Sequence, residues 1–237
     1  MLRRFVITIV RLIFKLLARM EVLGLENVPN KGPALVVINH MSLIDAAFVA
    51  IMIERPDVTA LIGDSYQKIL PMRWLVNAVH GIWINRSQAD FHALRQALDF
   101  LSSGGLLGIA PEGTRSKVGS LIPAKTGVAY LADKARVSLV PTAISGSEIA
   151  FRELRRFHRP GLKLQFGQPF RLPPLERKDR EGGMQRNTDE IMCRIAAMLP
   201  PKYWGVYRDH PRLAELVGKE DQSKYHEIST DSLGHGS

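Results

Sequence analysis

Residues 34–45 read Ala-Leu-Val-Val-Ile-Asn-His-Met-Ser-Leu-Ile-Asp. Ala34 to Asn39 is a short apolar run, β-branched in its middle, entered from the turn region Pro29–Pro33. A helix is expected directly after it, from about Leu43 to Ile53. A strand with no alternation of polar and apolar positions is one covered on both faces. The same signature recurs outward. Val58–Gly63, Gly81–Asn85, Leu106–Ala110, Val137–Ile144 and Leu162–Phe166 read as strands. Gln67–Val79, Gln88–Leu101, Thr126–Ala135 and Met184–Leu199 read as helices, the last ended by Pro200 and Pro201. Continuous apolar strands alternating with helices predict an α/β fold around a buried sheet. No internal repeat is visible, and 219–237 is polar enough to be a disordered tail.

Composition narrows the function only coarsely. The 237 residues are 46% hydrophobic and 23% charged, which excludes collagen-like, wholly disordered and polytopic membrane chains. One cysteine, Cys193, excludes an intramolecular disulfide framework and a multi-cysteine zinc site; it reads as helix-face packing. A net charge of +9 favours anionic partners: nucleic acid, anionic lipid or phosphorylated small molecules.

The first twenty residues point toward lipid. Phe5–Leu17 is rich in Ile, Val, Leu and Phe but carries Arg11 and Lys15. It is too short and too charged for a spanning helix, and the internal charges do not suit a signal peptide. Arg4, Thr8, Arg11, Lys15 and Arg19 recur every three to four residues, a stripe on an otherwise apolar helix. Such a helix suits a membrane interface; the alternative is a helix packed on its own domain with one solvated stripe. Farther along, Phe151–Arg180 carries nine basic residues against three acidic. Its cluster Arg152, Arg155, Arg156, His158 and Arg159 falls in an expected loop between strands. A solvated face, nucleic acid and lipid headgroups all fit it, and the amphipathic N-terminus favours lipid.

Ligands of open α/β sheets bind beyond the carboxyl ends of strands. Three such ends here carry unusual polar residues: Asn39-His40-Met41-Ser42-Leu43-Ile44-Asp45, Asn85-Arg86, and Pro111-Glu112-Gly113-Thr114-Arg115-Ser116. With His40 in the turn and Asp45 in the first helical turn, the carboxylate can reach back to the imidazole, a base and its orienting group. Ser42 and Asp45 also fit a capping box, and both readings can hold together. Arg86 and Arg115 suit a phosphate or carboxylate; a Glu112–Arg salt bridge within the loop is the alternative. Gly119–Thr126 lacks the second glycine of a P-loop, which argues against nucleotide binding there. Trp74, Trp83 and Trp204 read as core or interfacial packing.

His40 to Asp45 resembles the HxxxxD signature of the glycerolipid acyltransferases, the 1-acylglycerol-3-phosphate acyltransferase family. Gly81–Arg86 (GIWINR) resembles that family's second block, Pro111–Ser116 (PEGTRS) its third, and Val140–Ala143 its fourth, in the family's order. The entry Gly24–Pro29 (GLENVP) agrees too, so the resemblance runs from about Val22 to Pro173. Two positions depart from the pattern: Ala110 stands where an aromatic is usual, and Asn85 where an acidic residue often precedes the arginine.

The resemblance implies a mixed, largely parallel sheet flanked by helices, glycerol-3-phosphate acyltransferase-like. Ahead of an acyltransferase domain at 22–218, the basic-striped apolar segment is expected to form a membrane-associating amphipathic helix at 1–21. The resemblance implies transfer of a fatty acyl group from acyl-CoA or acyl carrier protein to the free hydroxyl of lysophosphatidic acid, giving phosphatidic acid. His40 would be the general base and Asp45 its orienter. Gly81, Arg86, Glu112, Gly113, Thr114 and Arg115 would bind substrate, with Lys125 a further phosphate ligand and Pro141 shaping the donor pocket. No metal and no resident cofactor are implied; the acyl thioester is a co-substrate. The implied partners are a membrane lipid surface, at the cytoplasmic face, and the two substrates, with no nucleic acid. Other acceptors remain open: glycerol 3-phosphate, another lysophospholipid or a non-glycerol lipid. A basic lipid-binding protein without catalysis is the reading from a different class.

Overall fold

The computed structural model describes residues 2–78, 80–85 and 90–218. Arg86 and the segment 219–237 lie outside them. The chain opens with a helix, Leu2–Leu17 (α1), followed by strands Arg19–Leu23 (β1) and Ala34–Ile38 (β2). Helix Asp45–Met52 (α2), strand Val58–Gly63 (β3), helix Leu70–Ala78 (α3) and strand Ile82–Ile84 (β4) come next. Helix Phe91–Ser102 (α4), strand Leu106–Ile109 (β5), helix Gly127–Ala135 (α5) and strand Ser138–Ser145 (β6) follow. Helix Ala150–Arg155 (α6), strand Gly161–Phe166 (β7) and helix Arg180–Ala197 (α7) complete the framework.

Among the described residues, seven strands form one sheet in the order β1-β7-β6-β2-β5-β3-β4. Every pairing is parallel except β6 with β7. The expected mixed, largely parallel sheet is therefore present, with β2 at its centre. All five residues of β2 are buried, as its unbroken apolar run required. Leu35 and Val37 pack on one face with Leu107, Leu131 and Ile191, under α4, α5 and α7. Val36 and Ile38 pack on the other with Phe48, Val140 and Leu164, under α1 and α2. The period of two divides one strand between two cores.

Two expectations at the edges change. The expected N-terminal helix ends at Leu17, and Arg19 opens β1 as a partner of β7, so Arg19 is not on the helical stripe. The basic cluster expected in a loop begins on α6, which carries Arg152 and Arg155.

Helix α1 lies on the domain rather than apart from it. Val6 is buried, and the Phe14 ring stacks on Phe48 with centroids 5.5 Å apart. Arg11 turns toward the protein. Its guanidinium donates to the Ile51 carbonyl at the end of α2 and to Glu54 (3.2 Å), the favourable place for a cation at a helix C-terminus. The outward surface of α1 is largely apolar: Phe5, Ile9, Leu12, Ile13 and Leu16 are exposed, beside exposed Thr8 and Lys15. Among the described residues no helix is long and apolar enough to cross a membrane.

Candidate active site

The strands β2, β5, β3 and β4 run parallel, so their carboxyl ends share one edge of the sheet. β2 is followed by Asn39, whose buried side chain continues the ladder where the backbone leaves it. Its Nδ2 donates to the Ile144 carbonyl (2.9 Å), and the Ile144 N–H donates to its Oδ1 (2.7 Å). This tie to β6 fixes the point from which the next residue, His40, departs. The sequence marks Asn39 as a polar residue closing an apolar run, but the tie to β6 is visible only in the structure.

His40 is 8% exposed and Asp45 fully buried. His40 Nδ1 lies 3.1 Å from Asp45 Oδ2. The same oxygen accepts from the N–H groups of Met41 and Ser42, both at 2.7 Å. Those two donors require an acceptor, so the carboxylate holds the Nδ1–H tautomer and leaves Nε2 as the basic nitrogen. The capping reading and the catalytic reading are thus both realised in geometry, since one carboxylate braces the turn and orients the ring.

The turn after β5 is tied to the same place. Glu112 is 2% exposed. Its Oε2 accepts from the His40 N–H (2.8 Å) and its Oε1 from the Ile122 N–H (3.2 Å). The Ser116 N–H donates to the His40 carbonyl (2.7 Å). Both peptide groups of His40 are therefore held by the Pro111–Ser116 turn. Burial pushes the Glu112 carboxyl up to about 7, aided by the charge of Asp45 and opposed by its two backbone donors.

The expected substrate ligands divide by placement. Gly113 has φ +66°, and a Cβ there would meet the Lys125 stem at 3.1 Å, so the lysine lies across the turn. The Lys125 N–H donates to the Pro111 carbonyl (2.8 Å). Thr114 and Arg115 are exposed, and Arg115 makes no ion pair among the described residues. Glu112, Gly81 and Pro141 are engaged by the protein's own packing and backbone. Glu112 points inward, with both oxygens engaged by backbone, because a buried carboxylate must find donors. Gly81 precedes β4, at the end of that strand away from His40. A Cβ there would meet Val76 and Ile62 within 2.7 Å, so the glycine answers a packing need. Pro141 sits inside β6, opposite Val37, and its carbonyl accepts from the Gly167 N–H (2.8 Å).

Sequence reading also missed two tyrosines. Tyr207 accepts from the Ala124 N–H (3.2 Å), holding the loop before Lys125. Tyr203 donates to Glu148 (2.6 Å) and accepts from the Gly146 N–H (3.3 Å). Neither belongs to a local motif that a sequence could betray. Cys193 is buried in α7, and burial pushes its thiol up to about 12, which suits packing rather than reactivity. Among the described residues no cluster of His, Cys, Asp and Glu is arranged to hold a metal ion.

An apolar cavity of about 170 Å³ is lined at one side by His40 and Leu43. It continues between α1, α2 and the β2–β5–β3 face toward Val6, Ile7 and Ile53. Only His40, Thr59 and Tyr66 among its lining side chains carry polar groups.

A family model described as Acyltransferase matches residues 19–145, which contain His40, Asp45 and the Pro111–Ser116 turn. The chain belongs to the acyltransferase family. Mouse 1-acyl-sn-glycerol-3-phosphate acyltransferase alpha is 26% identical over 229 residues, covering 92% of this chain and 67% of that protein. The 1-acyl-sn-glycerol-3-phosphate acyltransferase of Limnanthes douglasii is 33% identical over 128 residues, covering 52% of this chain. The chain spans only 45% of that plant protein's length. Among solved structures, the 1-acyl-sn-glycerophosphate acyltransferase PlsC from Thermotoga maritima superposes with a TM-score of 0.60 at 24% identity. The match covers 80% of each chain and establishes the shared fold. The chain is thus an enzyme of the acyltransferase class.

Proposed function

We propose that this acyltransferase moves a fatty acyl group from an acyl thioester, acyl-CoA or acyl carrier protein, to the free hydroxyl of lysophosphatidic acid. The observation that carries the reading is the His40–Asp45 pair, with His40 lining an apolar cavity. His40 Nε2 removes the proton from the acceptor hydroxyl as its oxygen attacks the thioester carbonyl. Asp45 stabilises the imidazolium that forms. The tetrahedral intermediate expels the thiolate, which takes the proton back from His40. The alcohol is the nucleophile, so no acylated residue is required.

The cavity suits the fatty chain, since burying each methylene contributes about 0.8 kcal/mol. Arg115 and Lys125, at the rim of the Gly113 turn, suit the acceptor phosphate. Glu112 serves as the brace that holds His40 in register. Thr114, exposed at the same rim, suits a headgroup oxygen. Arg86, outside the described residues, is retained as a headgroup ligand on sequence grounds. The exposed apolar face of α1 suits the surface of a membrane, reached from the cytoplasmic side.

The test is thiol release from palmitoyl-CoA and from palmitoyl-acyl carrier protein, with lysophosphatidic acid, glycerol 3-phosphate and lysophosphatidylcholine each offered as acceptor. Release dependent on lysophosphatidic acid is expected. Equal release with lysophosphatidylcholine would remove the phosphate monoester from the account.

A further inference from the structure

The segment between β6 and β7 presents an aromatic ring that the fold does not use. β7 returns antiparallel to β6, pairing Lys163 with Ser145, so 146–160 lies at the sheet edge that carries His40. Helix α6 ends there in a two-bond C-terminal motif. The His158 N–H donates to the Glu153 carbonyl (2.9 Å), and the Phe157 N–H donates to the Leu154 carbonyl (3.0 Å). The position between these bonds demands a left-handed backbone and is normally glycine. Here it is Phe157, at φ +58° and 99% exposed. A bulky side chain is held in a disfavoured conformation in order to point into solvent.

Its surroundings are basic. Arg152, Arg155 and Arg156 are exposed around it, and Arg156 makes no ion pair among the described residues. Arg159 donates to the carbonyls of Lys15 (2.6 Å) and Ala18 (2.8 Å), fastening this tip to the last turn of α1. Leu16 and Leu17, in that turn, are themselves exposed.

We propose that Phe157 and the arginines around it form a second membrane contact, in which the ring enters the headgroup–acyl boundary of an anionic bilayer while the guanidiniums meet lipid phosphates. A lone ring on a convex tip finds no preformed pocket in a soft lipid surface and needs none, whereas a protein partner would have to supply one. The charge is complementary to anionic lipid, and the contact is continuous with the apolar face of α1. The orientation, though not the contact itself, rests on the reading of α1 as membrane-facing.

The test uses the full chain and sedimentation with vesicles of phosphatidylcholine alone or mixed with phosphatidylglycerol. Phe157→Gly is expected to lower partition onto the anionic vesicles about tenfold. It should leave Tm unchanged or raised, because glycine suits the backbone. Arg156→Ser is expected to lower partition about fivefold on anionic vesicles and little on neutral ones. Leu12→Asp, at an exposed position of α1, separates the two readings. Loss of binding with Leu12→Asp but not with Phe157→Gly overturns the proposal and leaves α1 standing. The converse supports the proposal and removes α1. A lowered Tm for Phe157→Gly would show that the ring packs on the protein, against the proposal. Unchanged partition with slower turnover on acyl carrier protein would assign the tip to that protein and overturn the lipid contact.

Discussion

Glu112→Gln changes one oxygen to an amide nitrogen at the centre of the site. The carboxylate has two acceptor oxygens facing two backbone donors, His40 N–H and Ile122 N–H. A glutamine offers one acceptor and sets its NH2 group against the other donor. With its oxygen on His40, the Ile122 N–H is left unsatisfied, at a cost of about 1–3 kcal/mol. The wild-type carboxyl brings a penalty of its own. Its folded value of about 7 lies above the unfolded value near 4.5. The folded state therefore holds the extra proton between these limits. This contribution to stability is full below pH 4.5 and is lost as pH rises through 7. The difference amounts to on the order of 3 kcal/mol. Glutamine cannot titrate, so the variant lacks that slope. Urea unfolding of both proteins at pH 5 and pH 8 reads the effect. The variant should be clearly less stable at pH 5 and close to, or above, the wild type at pH 8. Parallel pH dependences in the two proteins would refute the assignment of this buried proton to Glu112.

Asp45→Asn should lower kcat about 10²–10⁴-fold, because it removes the charge that holds the ring tautomer and the imidazolium; a near-wild-type circular dichroism spectrum would exclude unfolding as the cause. Gly108 lines the cavity, and a Cβ there meets only ordinary contacts at 3.5 Å. Gly108→Leu should therefore fold and block the passage. The ratio of kcat/KM for C16 over C8 thioesters should fall about a hundredfold if some four methylenes are excluded, and an unchanged ratio would place the chain elsewhere. Arg115→Ala should raise KM for the acceptor about tenfold or more and leave KM for the thioester unchanged; an equal rise in both would mean a general defect.

The architecture was legible because both cores announce themselves. The unbroken run Ala34–Ile38 required cover on both faces, and the spacing within Phe91–Leu101 placed α4. β1 was hidden because Arg19–Leu23 alternates charged and apolar residues at a sheet edge, directly after the apolar run of the N-terminal helix. α6 was hidden because it is only six residues long and half of them, Arg152, Glu153 and Arg155, are charged.

At the site, the reach of Asp45 back to His40 followed from spacing alone. The inward turn of Glu112 did not, because it depends on β2 and β5 becoming neighbours across 72 residues. Gly81 and Pro141 lie in family blocks, yet their surroundings show packing demands, which a motif cannot distinguish from ligand contacts. The basic stripe was real in sequence but divided in space, since Arg11 is drawn onto α2 while the apolar face remains outward.

The central claim is that His40 is the base of an acyl transfer in which Asp45 orients the ring. The most direct measurement is thiol release from palmitoyl-CoA with lysophosphatidic acid, comparing wild type and His40→Ala at equal vesicle-bound protein. His40→Ala is expected to lose at least a thousandfold in turnover with vesicle binding intact. Turnover within tenfold of wild type would contradict it.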